Sequence, residues 1–316
     1  MRKVALIYNP ASGQHSARRK TAIQGALAVL HQAGLTAEAF TTHGAGTASE
    51  QTAQLIEAGF DTIIACGGDG TVHEVLQSIV GTDVKLGVVP LGTANALAAD
   101  LGLIASPAKA MKILLKANPT RVSVGRIQFC DTDGQSRSRY FTVAAGVGAD
   151  ALLMSRLDVR LKRRLGYLLY MVEAARIMFT HSFPLFEAVV PGNGNGDARV
   201  LDVSQLLAVR VRSFGGALQN LVPGASLRNG TLSLLAFKTQ SRFRYLLFML
   251  AVLTRQHTFR REVELVETPS IECRARHGSK EELFVEADGE VLGMLPIKLE
   301  VVPHSLTLLV PEGAQP

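Results

Sequence analysis

The sequence predicts an α/β amino-terminal domain built on a parallel sheet, followed by a β-rich, antiparallel carboxy-terminal domain. Two observations carry this. Through about residue 124, short and wholly apolar runs alternate with amphipathic stretches of helical length. Strands that apolar need cover on both faces, which the crossover helices of a parallel sheet supply. From about Arg121 the texture changes to successive strand-like runs separated by turn residues, the pattern of antiparallel neighbours. With 316 residues the chain has room for two cores. The expected division is 1–124 and 125–316, with the last residues returning to the first domain.

In chain order, "KVALIYN" reads as the first strand, Ala17 to Ala33 as a helix, "LTAEAFTT" as a strand and about Thr47 to Ala58 as a helix. "DTIIAC", "TVHEVLQSIV" and "KLGVVP" continue as strand, helix and strand, and "NALAADLG" opens a further helical segment. The second half offers "RVSVGRIQF", "RYFTVAAG", "QLLAVRVRS", "GTLSLLAF", "VELVETPSIEC" and "IKLEVVP" as strands, with "GNGNGD" at 192–197 as a turn. Two long basic and apolar stretches, "RLKRRLGYLLY" near 160–170 and "SRFRYLLFMLAVLTRQHTFRR" at 241–261, read as helices.

Composition narrows the class. A chain with 47% hydrophobic and 19% charged residues is globular rather than disordered. Its net charge of +6 is modest, and the basic residues gather in the two helical stretches, where they flank apolar faces. That arrangement suits an anionic membrane surface. Nucleic acid is not expected, because no zinc-finger spacing or RNA-recognition signature accompanies the charge. The plainer alternative, two amphipathic helices with solvated Lys and Arg, stays open at this point. Three widely spaced cysteines give neither a disulfide framework nor a metal cluster. The first apolar segment is too short for a signal peptide, and "YLLFMLAVL" is too short to span a bilayer. A cytoplasmic protein, peripheral at the inner membrane face, is the expectation.

In an open parallel sheet, ligands bind beyond the carboxyl ends of the strands, where helix N-termini present free N–H groups. Three stretches belong on that edge: "YNPASGQ" after the first strand, "GGDGT" after the strand ending at Cys66, and "PLGTAN" after the strand ending at Val89. Each combines Gly with Ser, Thr or Asn, which leaves backbone amides unobstructed for phosphate. Glycine at 67, 68 and 70 is expected because a Cβ would block close approach of a polyphosphate or force an unfavourable φ. Asp69, a carboxylate among phosphate-binding amides, makes sense if Mg²⁺ bridges it to the phosphates, directly or through water. Neither G-x-G-x-x-G nor a Walker sequence is present.

"NPASG" at 9–13, "GGDGTVHEV" at 67–75 and "PLGTANALA" at 90–98 resemble the motifs of the diacylglycerol-kinase catalytic-domain superfamily. That superfamily includes the bacterial lipid kinases and the sphingosine and ceramide kinases, with NAD kinases and phosphofructokinases more distantly related. The likeness continues through "AAGVGADA", "RRLGYLLY", "GGALQNLVPGASLRNGTLSL" and "VEADGEVL" and spans nearly the whole chain. It implies an NAD-kinase/phosphofructokinase-like first domain and an ATP- and Mg²⁺-dependent kinase acting on the hydroxyl of diacylglycerol or a related lipid, with nucleotide held between the domains. A sphingoid-base acceptor, or a soluble acceptor on the same fold, is the alternative.

Carried over by position, the resemblance implies nucleotide contacts from Asn9, Pro10, Ala11, Ser12 and Gly13, and from Gly67, Gly68, Asp69, Gly70, Thr71, Val72 and His73. Thr93 and Asn95 follow on the third turn, and Thr42 in "TTHGAGTA" is a further candidate on the adenosine or phosphate side. Glu74, on the first helical turn and favoured by the helix dipole, is expected within reach of the nucleotide. His73 reads as a histidine on the surface of that helix, and Cys66 as a strand-end filler. "ADGE" supplies Asp288 and Glu290, matching the family's acidic pair; with Asp69 they are the candidates for the carboxylate that accepts the acceptor's proton. Asp-Gly is equally a strong hairpin signal.

Three departures bear on chemistry. Asn95-Ala96 stands where many members have Asn-Asp and is similar to the sphingosine kinases, which leaves more of the acidic work to Asp69. "SLRNGTL" places Asn229 where bacterial lipid kinases have an Asp that binds a second magnesium; the matching ligands would be Ser226, Asn229 and Thr231, the outer two through their carbonyls. A neutral amide is a weaker ligand for that ion. Arg212 and Ala144 or Ala145 stand where the family commonly has Asn, near the expected acceptor cleft. A homodimer is allowed for.

Overall fold

A computed structural model describes residues 1–10, 16–44, 46–131, 133–156, 176–177, 180–192, 197–214, 220–278 and 281–316. The chain divides into two compact units. One comprises Met1–Val124 and Pro303–Pro316 with a short stretch at Ser213, and the other the remainder of Gly125–Val302.

The first unit is a parallel sheet interleaved with helices. Its strands are β1 (Lys3–Tyr8), β2 (Thr36–Thr41), β3 (Thr62–Gly67) and β4 (Lys85–Pro90), and its helices α1 (Ser16–Gln32), α2 (Ala48–Glu57), α3 (Asp69–Ile79), α4 (Ala96–Asp100) and α5 (Pro107–Leu114). The spatial order is β2-β1-β3-β4, every pair parallel, and Thr307 and Leu308 add a further parallel strand beside Lys85 and Leu86 of β4. Val4, Ala5, Leu6 and Ile7 of β1 and Ile63, Ile64, Ala65 and Cys66 of β3 are fully buried, so these strands carry no polar alternation. Each large aliphatic among them stabilises the sheet by roughly 1.5–3 kcal/mol relative to exposure. Helices pair α1 with α5 and α2 with α3.

The second unit is antiparallel. Its strands are the part of β5 (Asn118–Cys130) from Gly125 onward, β6 (Ser136–Phe141), β7 (Ala144–Val147), β8 (Phe186–Val190), β9 (Arg199–Val203), β10 (Gln205–Val209), β11 (Leu232–Phe237), β12 (Val263–Thr268), β13 (Ser270–Ala275), β14 (Phe284–Ala287) and the part of β15 (Glu290–Val310) up to Val302, whose remainder is the added parallel strand of the first unit. One row runs β12-β11-β10-β7-β14-β15, and a second runs β9-β8-β13 to the same β15. Buried side chains of both rows and of the β5–β6 pair, among them Phe141, Phe186, Leu206, Leu234, Ile271 and Leu299, form one apolar core. Helix α6 (Ala149–Arg156) follows β7, and α7 (Arg242–Leu253) follows β11.

Two runs read as single strands are each two. "VELVETPSIEC" breaks at Pro269, which has no N–H to donate to a ladder, and yields β12 and β13. "RYFTVAAG" breaks at Thr142 and Val143, whose N–H groups go to a side chain rather than to a neighbouring strand. The helix expected at 160–170 and most of "GNGNGD" lie outside the described residues.

Candidate functional site

The first unit's strand order reverses direction between β1 and β3, because the chain steps outward from β1 to β2 and then returns to the other side. A crevice beyond the carboxyl ends of the strands opens at such a point. The turns that follow β1 and β3 flank it, and these are the first two of the three motifs.

Of the first turn, Asn9 and Pro10 are described, whereas Ala11, Ser12 and Gly13 lie outside the described residues. The Asn9 carbonyl accepts a 3.0 Å hydrogen bond from Nη1 of Arg19, which reaches back from α1. Arg19 is 8% exposed, and burial pushes its guanidinium below the usual arginine range, yet arginine stays charged. Nothing local in "ARRK" marks the second residue of its basic run as buried. Its signal is position: about one turn into a helix that follows a Gly-rich turn.

The second turn leads into α3 through Gly68, an N-cap without a side-chain oxygen, so no side chain of its own occupies the first amides of α3. Gly67, Gly68 and Gly70 are not among the glycines at positive φ, so unfavourable φ is not why glycine stands there. Close packing is the reason at two of them. A Cβ on Gly67 would lie 2.4 Å from Thr71 Oγ1, and one on Gly68 would meet Gly92 Cα at 3.3 Å. The reverse contact is tighter, since a Cβ on Gly92 would sit 2.5 Å from Gly68 Cα. The second and third turns therefore touch backbone to backbone.

Asp69 ties them further. Its Oδ1 accepts the N–H of Ala96, the first residue of α4, at 2.7 Å, and Leu91 N–H donates to Gly67 O at 2.8 Å. The residue that replaces the family's second carboxylate thus contributes its amide to Asp69. Asn95 adopts a left-handed conformation, and its side chain both accepts from Gly92 N–H at 2.9 Å and donates to Gly92 O at 2.8 Å, which closes the third turn. Thr93 is exposed at its tip.

Three other candidates are placed differently from expectation. Glu74 gives both carboxylate oxygens to the start of α2, accepting from Gly46 and Ala48 N–H at 2.9 Å each, so it caps that helix. His73 is 5% exposed and so is a core residue of α3, not a surface one. Val72 is buried at 4%, which leaves only its backbone for contact with a ligand, while Thr71 is half-buried. Thr42, at the start of the loop held by Glu74, is 7% exposed, and its hydroxyl has no partner among the described residues. A buried hydroxyl without a partner is costly unless something else completes it. Cys66 fills the strand end as expected, fully buried, with burial pushing its thiol up.

The acidic pair lies in the second unit. Ala287 pairs with Glu290 across β14 and β15, so Asp288-Gly289 is a two-residue hairpin turn, with φ of 50° and 83°. Both positive φ values belong to the turn type that Asp-Gly favours. Asp288 also anchors the hairpin: Oδ1 accepts from Val143 N–H at 2.8 Å and Ala144 N–H at 3.1 Å, and Oδ2 from Thr142 N–H at 3.0 Å. A carboxylate gripped by three successive amides is a structural clasp that fixes the hairpin to the segment entering β7. Ala144, one of the departures, supplies one of those amides. Glu290 is exposed, and its carboxylate has no partner among the described residues.

The expected second metal site does not fit a metal. Ser226 O accepts from Asn229 N–H at 3.2 Å, and the Asn229 side chain spends its amide as a donor to Gly224 O at 2.8 Å. The carbonyls of Asn229 and Thr231 both accept from the guanidinium of Arg210. Among the described residues no group of three His, Cys, Asp or Glu side chains is placed to hold a metal ion.

Residues 3–127 match the family model described as the diacylglycerol kinase catalytic domain, and residues 142–310 match the YegS C-terminal NAD kinase beta sandwich-like domain. A diacylglycerol kinase of Mycobacterium tuberculosis is 30% identical over 315 residues, covering 98% of this chain and 95% of that protein. A diacylglycerol kinase of Bacillus subtilis is 28% identical over 298 residues, covering 94% and 92%. Among solved structures, a Bacillus anthracis protein provisionally named a diacylglycerol kinase superposes with a TM-score of 0.76 at 22% identity, over 99% of this chain and 96% of that one. Yeast NADH kinase superposes with a TM-score of 0.54 at 11% identity, over 99% and 82%.

Proposed function

The chain belongs to the diacylglycerol kinase family, and from that premise we propose that it transfers the γ-phosphoryl group of ATP to the hydroxyl of a membrane lipid, diacylglycerol or a close relative. The observation that favours a lipid over a soluble acceptor is the outer face of α7. Tyr245, Phe248 and Val252 are buried, with both aromatic rings against Phe237. Phe243, Leu246, Met249 and Leu250 are 42–66% exposed on the same helix, and Phe259 just beyond it is 85% exposed. No acidic residue occurs from 241 to 261, while Arg244, Arg255 and Arg261 are exposed there. Contiguous exposed apolar residues among cations suit insertion at an anionic bilayer surface.

In this reading the amides at the start of α3, the Thr42 hydroxyl and Thr93 receive the nucleotide, and Arg19 offsets phosphate charge at the first turn. Asp69 fits Mg²⁺ held through water, since one of its oxygens is committed to Ala96 N–H and Mg²⁺ keeps several waters. When bound, that ion neutralises charge on the phosphate oxygens. Glu290, exposed and uncommitted, accepts the proton of the lipid hydroxyl as its oxygen bonds to the γ-phosphorus; ADP departs with the electrons of the broken P–O bond.

The test is transfer of labelled γ-phosphate from ATP into phosphatidylglycerol vesicles carrying diacylglycerol, monoacylglycerol or a sphingoid base, beside a panel of soluble alcohols that includes NAD. Label in one of the lipids names the acceptor. Label only in a soluble alcohol, with protein that stays in the supernatant when vesicles are pelleted, overturns the lipid reading.

A further inference from the structure

We infer that the Arg210 guanidinium is the built-in cation of the 224–231 loop, standing where relatives of this chain would use a divalent metal ion. Arg210 follows β10, and its N–H donates to Val143 O at 2.9 Å, which continues the β10–β7 ladder by one residue. Its side chain is 0% exposed, the largest side chain fully buried in the protein's described residues. Nη2 donates to Asn229 O at 3.0 Å and Nη1 donates to Thr231 O, so one rigid fork holds two carbonyls of the loop. The planar guanidinium supplies donors in a fixed geometry that a single ion cannot.

The rest of the loop is arranged around that fork. Asn229 Nδ2 donates to Gly224 O, Asn229 N–H donates to Ser226 O, and Ser226 Oγ accepts from Arg228 N–H at 3.1 Å. An aspartate at 229 could not donate to Gly224 O, so asparagine and the arginine belong together. Burial pushes the Arg210 guanidinium down to about 10, which leaves it protonated at neutral pH. A divalent ion brought to the same carbonyls would face this positive charge at close range in a low-dielectric surrounding. The loop therefore needs no metal to be ordered, and any Mg²⁺ requirement of this chain belongs to the nucleotide.

The experiment is thermal unfolding of the full chain without nucleotide, with EDTA and then with excess Mg²⁺, together with Mn²⁺ titration followed by electron paramagnetic resonance. Wild type is expected to melt at the same temperature in both buffers to within about 1 °C. Arg210→Ala is expected to lose roughly 5–10 °C, because two partly buried carbonyls lose a charged donor and a fully buried side chain is removed. In Arg210→Ala/Asn229→Asp, Mg²⁺ at a hundredfold excess over its Kd is expected to restore roughly 5–10 °C. Should the double variant not fold, the titration decides on folded protein: Mn²⁺ bound by wild type and lost in Asn229→Ala overturns the inference, whereas identical Mn²⁺ binding by the two supports it. A Mg²⁺-dependent rise in wild-type melting temperature that Asn229→Ala abolishes also overturns it.

Discussion

Asp69 Oδ1 accepts the Ala96 N–H at 2.7 Å, so the carboxylate of the second turn caps the helix that begins after the third. The donor is a main-chain amide, so the bond ties the two turns together independently of the side chain at position 96. Asp69→Asn keeps an acceptor for that N–H, whereas Asp69→Ala leaves it without one. We expect the Asn variant to melt within a few degrees of wild type and the Ala variant to lose about 1–3 kcal/mol. Both should fall at least ~100-fold in kcat/KM, as expected when charge stabilisation at the phosphates is removed. An Asn variant within tenfold of wild-type turnover would remove Asp69 from the chemistry.

The two members of the acidic pair should separate cleanly. Asp288 holds three amides and Glu290 holds none among the described residues, so Asp288→Ala is expected to act on stability and Glu290→Gln on turnover. Loss of a charged acceptor from three buried N–H groups should cost about 3 kcal/mol or more, read as an earlier denaturant midpoint at unchanged slope. Glu290→Gln should melt like wild type while kcat drops by ~10²–10⁴, the usual range for a general base. Unaltered kcat in Glu290→Gln would return the search to other carboxylates.

Arg19 presents a buried positive charge at the first turn. If it also meets phosphate, Arg19→Met should raise KM for ATP by roughly 10–100-fold, the equivalent of one charged hydrogen bond, with kcat changed less than about threefold. Arg19→Lys should recover part of the loss, since a lysine keeps the charge and gives up the fork. Equal KM values across the three proteins, measured by initial rates at saturating acceptor, would confine Arg19 to bracing the Asn9 carbonyl.

What the sequence could and could not disclose follows from how far apart partners lie. The parallel first unit was legible because "ALI" and "IIAC" are apolar on both faces and each strand ends in Gly with a small polar residue. Asp288 was not, because the amides it clasps lie 145 residues away in the chain, and a local reading sees only an Asp-Gly turn with an acid nearby. Arg210 and Arg212 alternate in "VRVRS" and look alike on paper; only the fold buries the first beneath the 224–231 loop. Glu74 shows the same limit, since its dipole-favoured place at the start of α3 could not reveal the α2 amides it caps.

The outer face of α7 makes a prediction that separates membrane docking from folding. Packing of the helix rests on Tyr245, Phe248 and Val252, whereas Phe243 and Leu250 point away from that core and are 66% and 51% exposed. Phe243→Ser/Leu250→Ser should therefore leave the melting temperature within about 2 °C of wild type. Full burial of two such side chains is worth roughly 3–6 kcal/mol, and even partial insertion makes a 10–100-fold loss of binding to phosphatidylglycerol vesicles the expected result. Arg244→Gln/Arg261→Gln should weaken the same binding by about thirtyfold, near 1 kcal/mol for each cation, and flatten its salt dependence. Each pair of substitutions tests one half of the attraction, apolar insertion or charge. Vesicle pelleting that is indifferent to both pairs would place the docking surface elsewhere on the protein, and activity on a short-chain, water-soluble diacylglycerol should survive in either variant because neither touches the nucleotide turns or Glu290.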